Sequence, residues 1–430
     1  MSAQTTALPP GGAYTVPALD RAAVNAKTIS LIASFAIGLG VFLSGFVFRE
    51  PAPYELYMAA LIGVWFLFGL RLSATIMPLL VLLLLFNIGG MISVTQRHLY
   101  EDGPLYVAVS LFLALSAVFY AAVVEGDHRR LNTMIKAYMA AAFLTALLGI
   151  AAYFGALGDV GYFVRYGRAA GGFEDPNVFG PFLVLPALYL IHQVLTGPAR
   201  RVLTAAVPLA VIAVGLLLSF SRGAWGLMTF TTLMLVLMLL IKHRSGKVRM
   251  RIILMSMVAL ALLAVTVIAA LQIPQVAELF ASRAQLTQDY DTSQFGRFAR
   301  YRLGFIMAME HPLGIGPLEF GLIFGEDTHD IWLKALMDYG WLGFASYLIL
   351  IVMTLAAGFR ILLRERPWQA VFMCAYITLL GHVLLGTIID TDHWRHFYML
   401  VGVVWGGIAL EARHQRALAN GPYPHLQNAA

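Results

Sequence analysis

The chain has 430 residues, 60% hydrophobic and only 12% charged, with a mean hydropathy of +0.78. Soluble chains of this length carry about a quarter charged residues, and one core cannot absorb so much apolar sequence, so a bilayer must be the solvent. A formal charge of +6 would suggest nucleic acid for a soluble protein; in a membrane chain it fits the bias of basic residues toward cytoplasmic turns, and no nucleic-acid partner is expected. The single cysteine, Cys374, falls inside an apolar run and excludes an intrachain disulfide.

Residues 1–27 are polar and small, with Pro9, Pro10, Gly11 and Gly12. No short apolar region with a small-residue cleavage site precedes the first long run, so a disordered cytoplasmic tail is expected rather than a signal peptide. A span needs about 20 apolar residues. That ruler picks out 31–48, 56–70, 76–94, 105–124, 137–157, 179–195, 202–220, 225–241, 252–271, 342–358, 370–389 and 397–410. The sequence therefore predicts an all-α polytopic membrane protein of about twelve transmembrane helices. A single transmembrane domain occupies 28–410, and a second cytoplasmic tail follows over 411–430.

Charge orients this bundle. With both termini cytoplasmic, the cytoplasmic segments hold 18 of the 29 basic residues on short turns and tails. The N-in, C-in arrangement thus follows the positive-inside rule. The outward 11 are ten arginines and one lysine, Lys334. Arginine's planar fork grips phosphate oxygens at two points, so an arginine-rich outward face suits phosphate recognition. Two outward segments are long, 158–178 and 272–341. Their Gly, Pro and charged residues mark them as loops, the second long enough to carry short helices.

Three constellations lie on outward segments. The first runs from Arg165 through Arg168, Gly171, Gly172, Glu174 and Asp175 to Pro176 and Asn177, where a helix should begin. Its arginines read either as an anion clamp or as partners of Glu174 and Asp175. The second is Ser221-Arg222-Gly223-Ala224-Trp225, a tight turn that fixes Arg222 at the height of a lipid phosphate. Equally, Arg222 could snorkel with Trp225 in the aromatic belt. The third spans Glu326, Asp327, Thr328, His329 and Asp330, with Asp327 or Thr328 as N-cap of a short helix through Tyr339. Ile331, Trp332, Ala335, Leu336 and Tyr339 would form its apolar stripe. At such a helix start the dipole favours neutral imidazole, the form a general base requires, while Glu326 and Asp330 push the other way; a surface capping histidine is the plainer alternative. Asp390, Asp392, His393 and His396 could supply metal ligands but match no zinc spacing, so a charged turn beside an interfacial Trp394 is favoured. His311, amid Pro and Gly, reads as part of a shaped turn. Walker, Gly-x-Ser-x-Gly, Cys-x-x-Cys and Rossmann signatures are missing.

These residues resemble the O-antigen ligase and O-antigen polymerase superfamily of bacterial envelope glycosyltransferases. The resemblance rests on Arg168-x-x-Gly-x-Phe-x-x-Pro-Asn177, Ser221-Arg222-Gly-Ala-Trp, His311-Pro-Leu-Gly-Ile-Gly, and Thr328-His329-Asp-x-x-Leu followed by Tyr339-Gly-Trp-Leu-Gly, in the family's order. Asp330 departs from the asparagine common after this histidine. The resemblance implies a cofactor-free, metal-independent, inverting glycosyl transfer on the periplasmic face of the bacterial inner membrane, among membrane lipids. The donor would be a glycan on undecaprenyl pyrophosphate; the acceptor would be lipid A-core for a ligase, or another lipid-linked glycan for a polymerase. It makes His329 the base that takes the acceptor hydroxyl's proton, and Arg168 and Arg222, with Arg165 beside them, the grip on the departing pyrophosphate. A lipid-linked sugar transporter or flippase is the alternative, but transport favours ionisable groups within the spans, which here are nearly charge-free.

Overall fold

The computed structural model describes residues 21–49, 51–69, 71–96, 102–158, 161–283 and 296–420. The tails expected over 1–27 and 411–430 lie mostly outside these residues, as does 284–295 of the second long loop. Where the apolar runs were read, the backbone closes its hydrogen bonds within helices, the form a bilayer demands. In order these are α1 (Arg21–Leu43), α2 (Pro53–Leu67), α3 (Met77–Val94), α4 (Gly103–Gly126) and α5 (Arg129–Tyr153). A hairpin of β1 (Val164–Arg165) and β2 (Arg168–Ala169) follows, then α6 (Pro176–Phe182), α7 (Val184–Thr196), α8 (Ala199–Leu218), α9 (Arg222–Lys242) and α10 (Gly246–Ala270). The second loop carries α11 (Pro274–Arg283), α12 (Arg297–Glu310), α13 (Glu319–Phe324) and α14 (Ile331–Asp338). The chain ends in α15 (Gly340–Ile361), α16 (Gln369–Leu385) and α17 (Arg395–Ala419).

Among the described residues, nine helices are long and apolar enough to cross a membrane, α6 and α7 together making one of them. The other three expected spans are also helices. Two are short, at 15 and 17 residues (α2 and α16), and the third, α17, continues past residue 410 to Ala419. That extension carries Glu411, buried at 3% exposure, whose charge is met by Arg364 and Arg366, each 2.7 Å away. The break between α6 and α7 has a local cause. Pro186 cannot donate to the carbonyl of Phe182, and the Tyr138 hydroxyl, at 3.0 Å, donates to that oxygen instead.

The bundle is layered about α4, with 67% of its apolar window buried, whereas α10 has 6% and lies on the outside. Small residues bring α4 and α17 together: a Cβ on Gly402 would strike the carbonyl of Ala117, and one on Gly406 would meet Val124 at 2.5 Å. This four-residue spacing of glycines is a close-packing device of membrane helices. The helix ends sort into two faces. Arg364, Arg366, Glu411, and Arg413, which donates to Glu125, gather on one. The hairpin, the N-terminal ends of α6, α9 and α17, the C-terminal end of α16 and helices α11–α14 gather on the other, here the site face.

A bulky residue at Gly402 should therefore prise α17 from α4, at about 1–3 kcal/mol. Gly402→Leu should lower the melting temperature in detergent, followed by size-exclusion chromatography. Gly63→Leu should not, because nothing lies within 4 Å of a Cβ there.

Candidate functional site

The hairpin sets the first arginines. Its turn residues Tyr166 and Gly167 both adopt positive φ, 54° and 69°, the geometry two-residue hairpins favour. Arg165 and Arg168 thereby stand directly opposite one another, an arrangement of like charges that opposes stability by itself. Arg168 is buried. Its Nε donates to the Ser219 carbonyl at 2.7 Å and its Nη2 to Asn177 Oδ1 at 2.8 Å. Asp175 is occupied in capping α6, accepting from the Asn177 amide at 2.8 Å. Arg168 is thus tied to the Ser219–Arg222 turn, and the first two constellations become one. There Ser221 caps α9 through the Ala224 amide, leaving half-buried Arg222 in its first turn. Half-buried Trp225 is held by its neighbours: its Nε1 donates to the Leu216 carbonyl and its ring stacks on Phe280 at 5.5 Å.

His329 lies outside its helix, at φ 54°. The expected cap shifts to Asp330, whose Oδ1 accepts from the amides of Trp332 and Leu333 at 2.8 and 3.2 Å. Neither earlier candidate caps, because Asp327 is drawn 2.8 Å from Lys334 and Thr328 is buried. Helix α14 buries Ile331, Ala335 and Leu336 in the bundle. An asparagine at 330 would offer the same side-chain oxygen to the same amides, so the departure at Asp330 leaves the helix start unchanged.

Two carboxylates flank the imidazole. Nε2 is 3.1 Å from Glu326 Oε1, and Nδ1 is 3.4 Å from Asp390 Oδ2. The contact with Asp390 lifts the His329 pKa above its ordinary value; burial opposes this, and Glu326 adds to it. The expectation that the helix start would favour neutral imidazole is therefore outweighed. Burial would raise the Glu326 carboxyl, but its bonds to His329 and Arg300 hold it below the usual range. Arg300, itself buried, ion-pairs with Glu326.

Arg300 and Asp390 have no motif of their own, and the sequence reading assigned neither to this site; Lys334 lies at the end of the His329 stretch but had no role there. The one available signal was Asp390 in the Asp390–His396 segment, read there as a possible ligand set. Its members part company: Asp390 faces His329, Asp392 takes the Tyr106 hydroxyl at 2.5 Å and His393 Nδ1 at 3.0 Å, and His396 meets His382 edge-on. Trp394 is buried, not interfacial. Among the described residues no group of three or more His, Cys, Asp or Glu could hold a metal ion. His311 ends α12, its Nδ1 2.9 Å from the Met307 carbonyl, at the head of a turn in which the Gly316 amide donates to Ser93.

The arginine turn and the histidine meet at one place, the C-terminal turn of α16. The Ile331 amide donates to the Gly386 carbonyl at 2.9 Å, and a Cβ on Gly386 would lie 2.7 Å from Ile331 Cγ2. One residue earlier, Leu385 packs against Gly223, where a Cβ would approach to 2.8 Å. Gly386→Val should therefore displace α14 and His329 together, at about 1–3 kcal/mol. A drop in melting temperature accompanied by lost activity is expected.

Residues 207–348, one third of the chain, match the family model described as O-antigen ligase. No curated protein matches the chain. The matched segment contains Arg222, His311 and His329; Arg165 and Arg168 precede it. With its apolar helices the chain is a multi-pass membrane protein, and the match over residues 207–348 supports the resemblance to the O-antigen ligase and polymerase superfamily.

Proposed function

We propose that the chain is a metal-independent, inverting glycosyltransferase of the O-antigen ligase type, with twelve spans, both termini cytoplasmic, and its site face in the periplasm. It moves a glycan from undecaprenyl pyrophosphate to an acceptor hydroxyl, on lipid A-core for a ligase or on a second lipid-linked glycan for a polymerase. The observation that supports this reading is the junction at Leu385–Gly386, one helix end that touches both the Arg222 turn and the start of the helix that follows His329.

The division of labour follows from charge. Breaking the anomeric C–O bond leaves pyrophosphate with one more negative charge. Arg222 and Arg168, with Arg165 on the hairpin, offset that charge, and the N-terminal end of α9 adds its dipole. Preorganised donors of this kind contribute about 3–4 kcal/mol each when removed singly. Two N–H groups of Arg168 fix the plane of its guanidinium on Ser219 and Asn177, so the positive charge is in place before the donor arrives. On the other side His329 Nε2 takes the proton of the acceptor hydroxyl as it attacks the anomeric carbon. Glu326, exposed and bound also to Arg300, yields Nε2 to the acceptor. Asp390 remains on Nδ1 and steadies the imidazolium that forms.

His329→Ala should abolish transfer with normal membrane abundance; full activity would remove it as the base. Arg222→Lys should lower the rate by about 10²-fold or more, since a point charge lacks the fork. Because a base works deprotonated and the His329 pKa is raised, kcat/KM should climb with pH through a midpoint above the ordinary imidazole value. A midpoint below that value would contradict the assignment. Deletion of the gene separates the two acceptors. Loss of polymer from lipid A-core with accumulation of lipid-linked polymer identifies a ligase, and accumulation of single repeat units a polymerase.

A further inference from the structure

The one lysine among the outward basic residues, Lys334, is buried, in contrast to the exposed position ordinary for lysine. Its ammonium sits among carboxylates from three segments. Asp327 Oδ2 is 2.8 Å away, Asp390 Oδ2 3.7 Å and Asp338 Oδ2 4.0 Å, and the Tyr106 ring of α4 lies beneath it with its centroid at 5.4 Å. A compact point charge can satisfy several acceptors converging from different directions, where a planar fork would have to choose one plane. Desolvating this many charges in one place is costly, so the cluster is weak evidence for stability alone. The oxygen of Asp390 that faces Lys334 is also the oxygen 3.4 Å from His329 Nδ1. The other, Oδ1, is buried without a hydrogen-bond partner, so Lys334 and His329 hold this carboxylate through one atom.

We propose that Lys334 is a positioning residue for His329, acting through Asp390: it anchors the 386–394 turn to α14 and so keeps the carboxylate on Nδ1 and Nε2 turned toward the acceptor. This rests on the reading of His329 as the base. Lys334 makes no contact with substrate in this account. The charged groups around the pair are Glu326 on Nε2 with Arg300 behind it, Asp330 at the helix cap, Asp390 on Nδ1, and Asp327, Asp338 and Asp392 around the ammonium. Of these, Asp390 bridges the ammonium and the imidazole. Moving it away lowers the basicity of His329, whereas keeping the positive charge at 334 leaves the cluster's net charge unaltered.

Lys334→Arg is therefore the informative variant, with Lys334→Met and Asp390→Asn beside it. Each is purified, reconstituted into membranes of a gene-deletion strain that supply accumulated lipid-linked donor, and assayed across pH. Lys334→Arg retains the charge the buried carboxylates need and so stays folded even should the methionine variant not. It should lower kcat at least tenfold with KM for the donor within about twofold, and it should shift the acid limb of kcat/KM to lower pH, as Asp390→Asn does. A displacement of about 1 Å at a reacting group is enough to cost 10²-fold. In combination with Asp390→Asn the arginine substitution should add less than about threefold, since both act through one carboxylate. Unchanged kcat and an unmoved acid limb in Lys334→Arg, or effects that multiply in the double variant, would overturn the proposal and leave Lys334 a structural pin. His329→Ala is run alongside: if it is fully active, the reading of the base itself fails, and if it is inactive while Lys334→Arg is normal, only the positioning role fails.

Discussion

The hydrogen bond from the Ile331 amide to the Gly386 carbonyl, made at a place with no room for a Cβ, holds the site together. It docks the start of α14, a loop helix, onto the end of α16, a helix of the bundle. Upstream of Ile331 the same loop delivers His329; downstream of Gly386 the same turn delivers Asp390. Leu385, packed on Gly223, fixes the position of the Arg222 turn relative to both. Three segments far apart in sequence are thus referred to one rigid terminus. Rigid support of this kind suits chemistry that depends on geometry within a fraction of an ångström.

Around that junction the charges are unevenly distributed. The arginine side brings Arg165 opposite Arg168 and ties Arg168 to the α9 turn, an arrangement that gains meaning from an anion. The histidine side is acidic, with Glu326 and Asp390 on the two ring nitrogens, and is balanced internally by Arg300 and Lys334. Positive potential where a phosphate would leave and raised basicity where a proton would arrive are the two demands of glycosyl transfer to a hydroxyl. His329 also holds a left-handed backbone, a strained conformation that its surroundings enforce.

Much of this was legible in the sequence, for physical reasons. Apolar runs must become helices in lipid, so each expected span has its helix. Tight turns and Pro176 limit where Arg168 and Arg222 can stand, and their convergence on one face follows from the alternation of spans. What escaped depends on partners distant in the chain. The cap of α14 moved from Asp327 to Asp330 because Lys334 claims Asp327. The basicity of His329 turns on Asp390, which no local pattern ties to it. Trp225 and Trp394 have the flanks of interfacial anchors, but Phe280 and His396 pack against their rings. Helix α17 passes its apolar limit because Arg364 and Arg366 neutralise Glu411.

The central claim is that one site on this face both releases pyrophosphate and activates a hydroxyl for direct attack. Its most direct test is the stereochemistry of the bond made by the purified chain, followed by NMR with a lipid-linked glycan donor of known anomeric configuration. The account predicts a product linkage of inverted configuration, formed in step with release of undecaprenyl pyrophosphate. A linkage of retained configuration, or turnover without release of the pyrophosphate lipid, would contradict it.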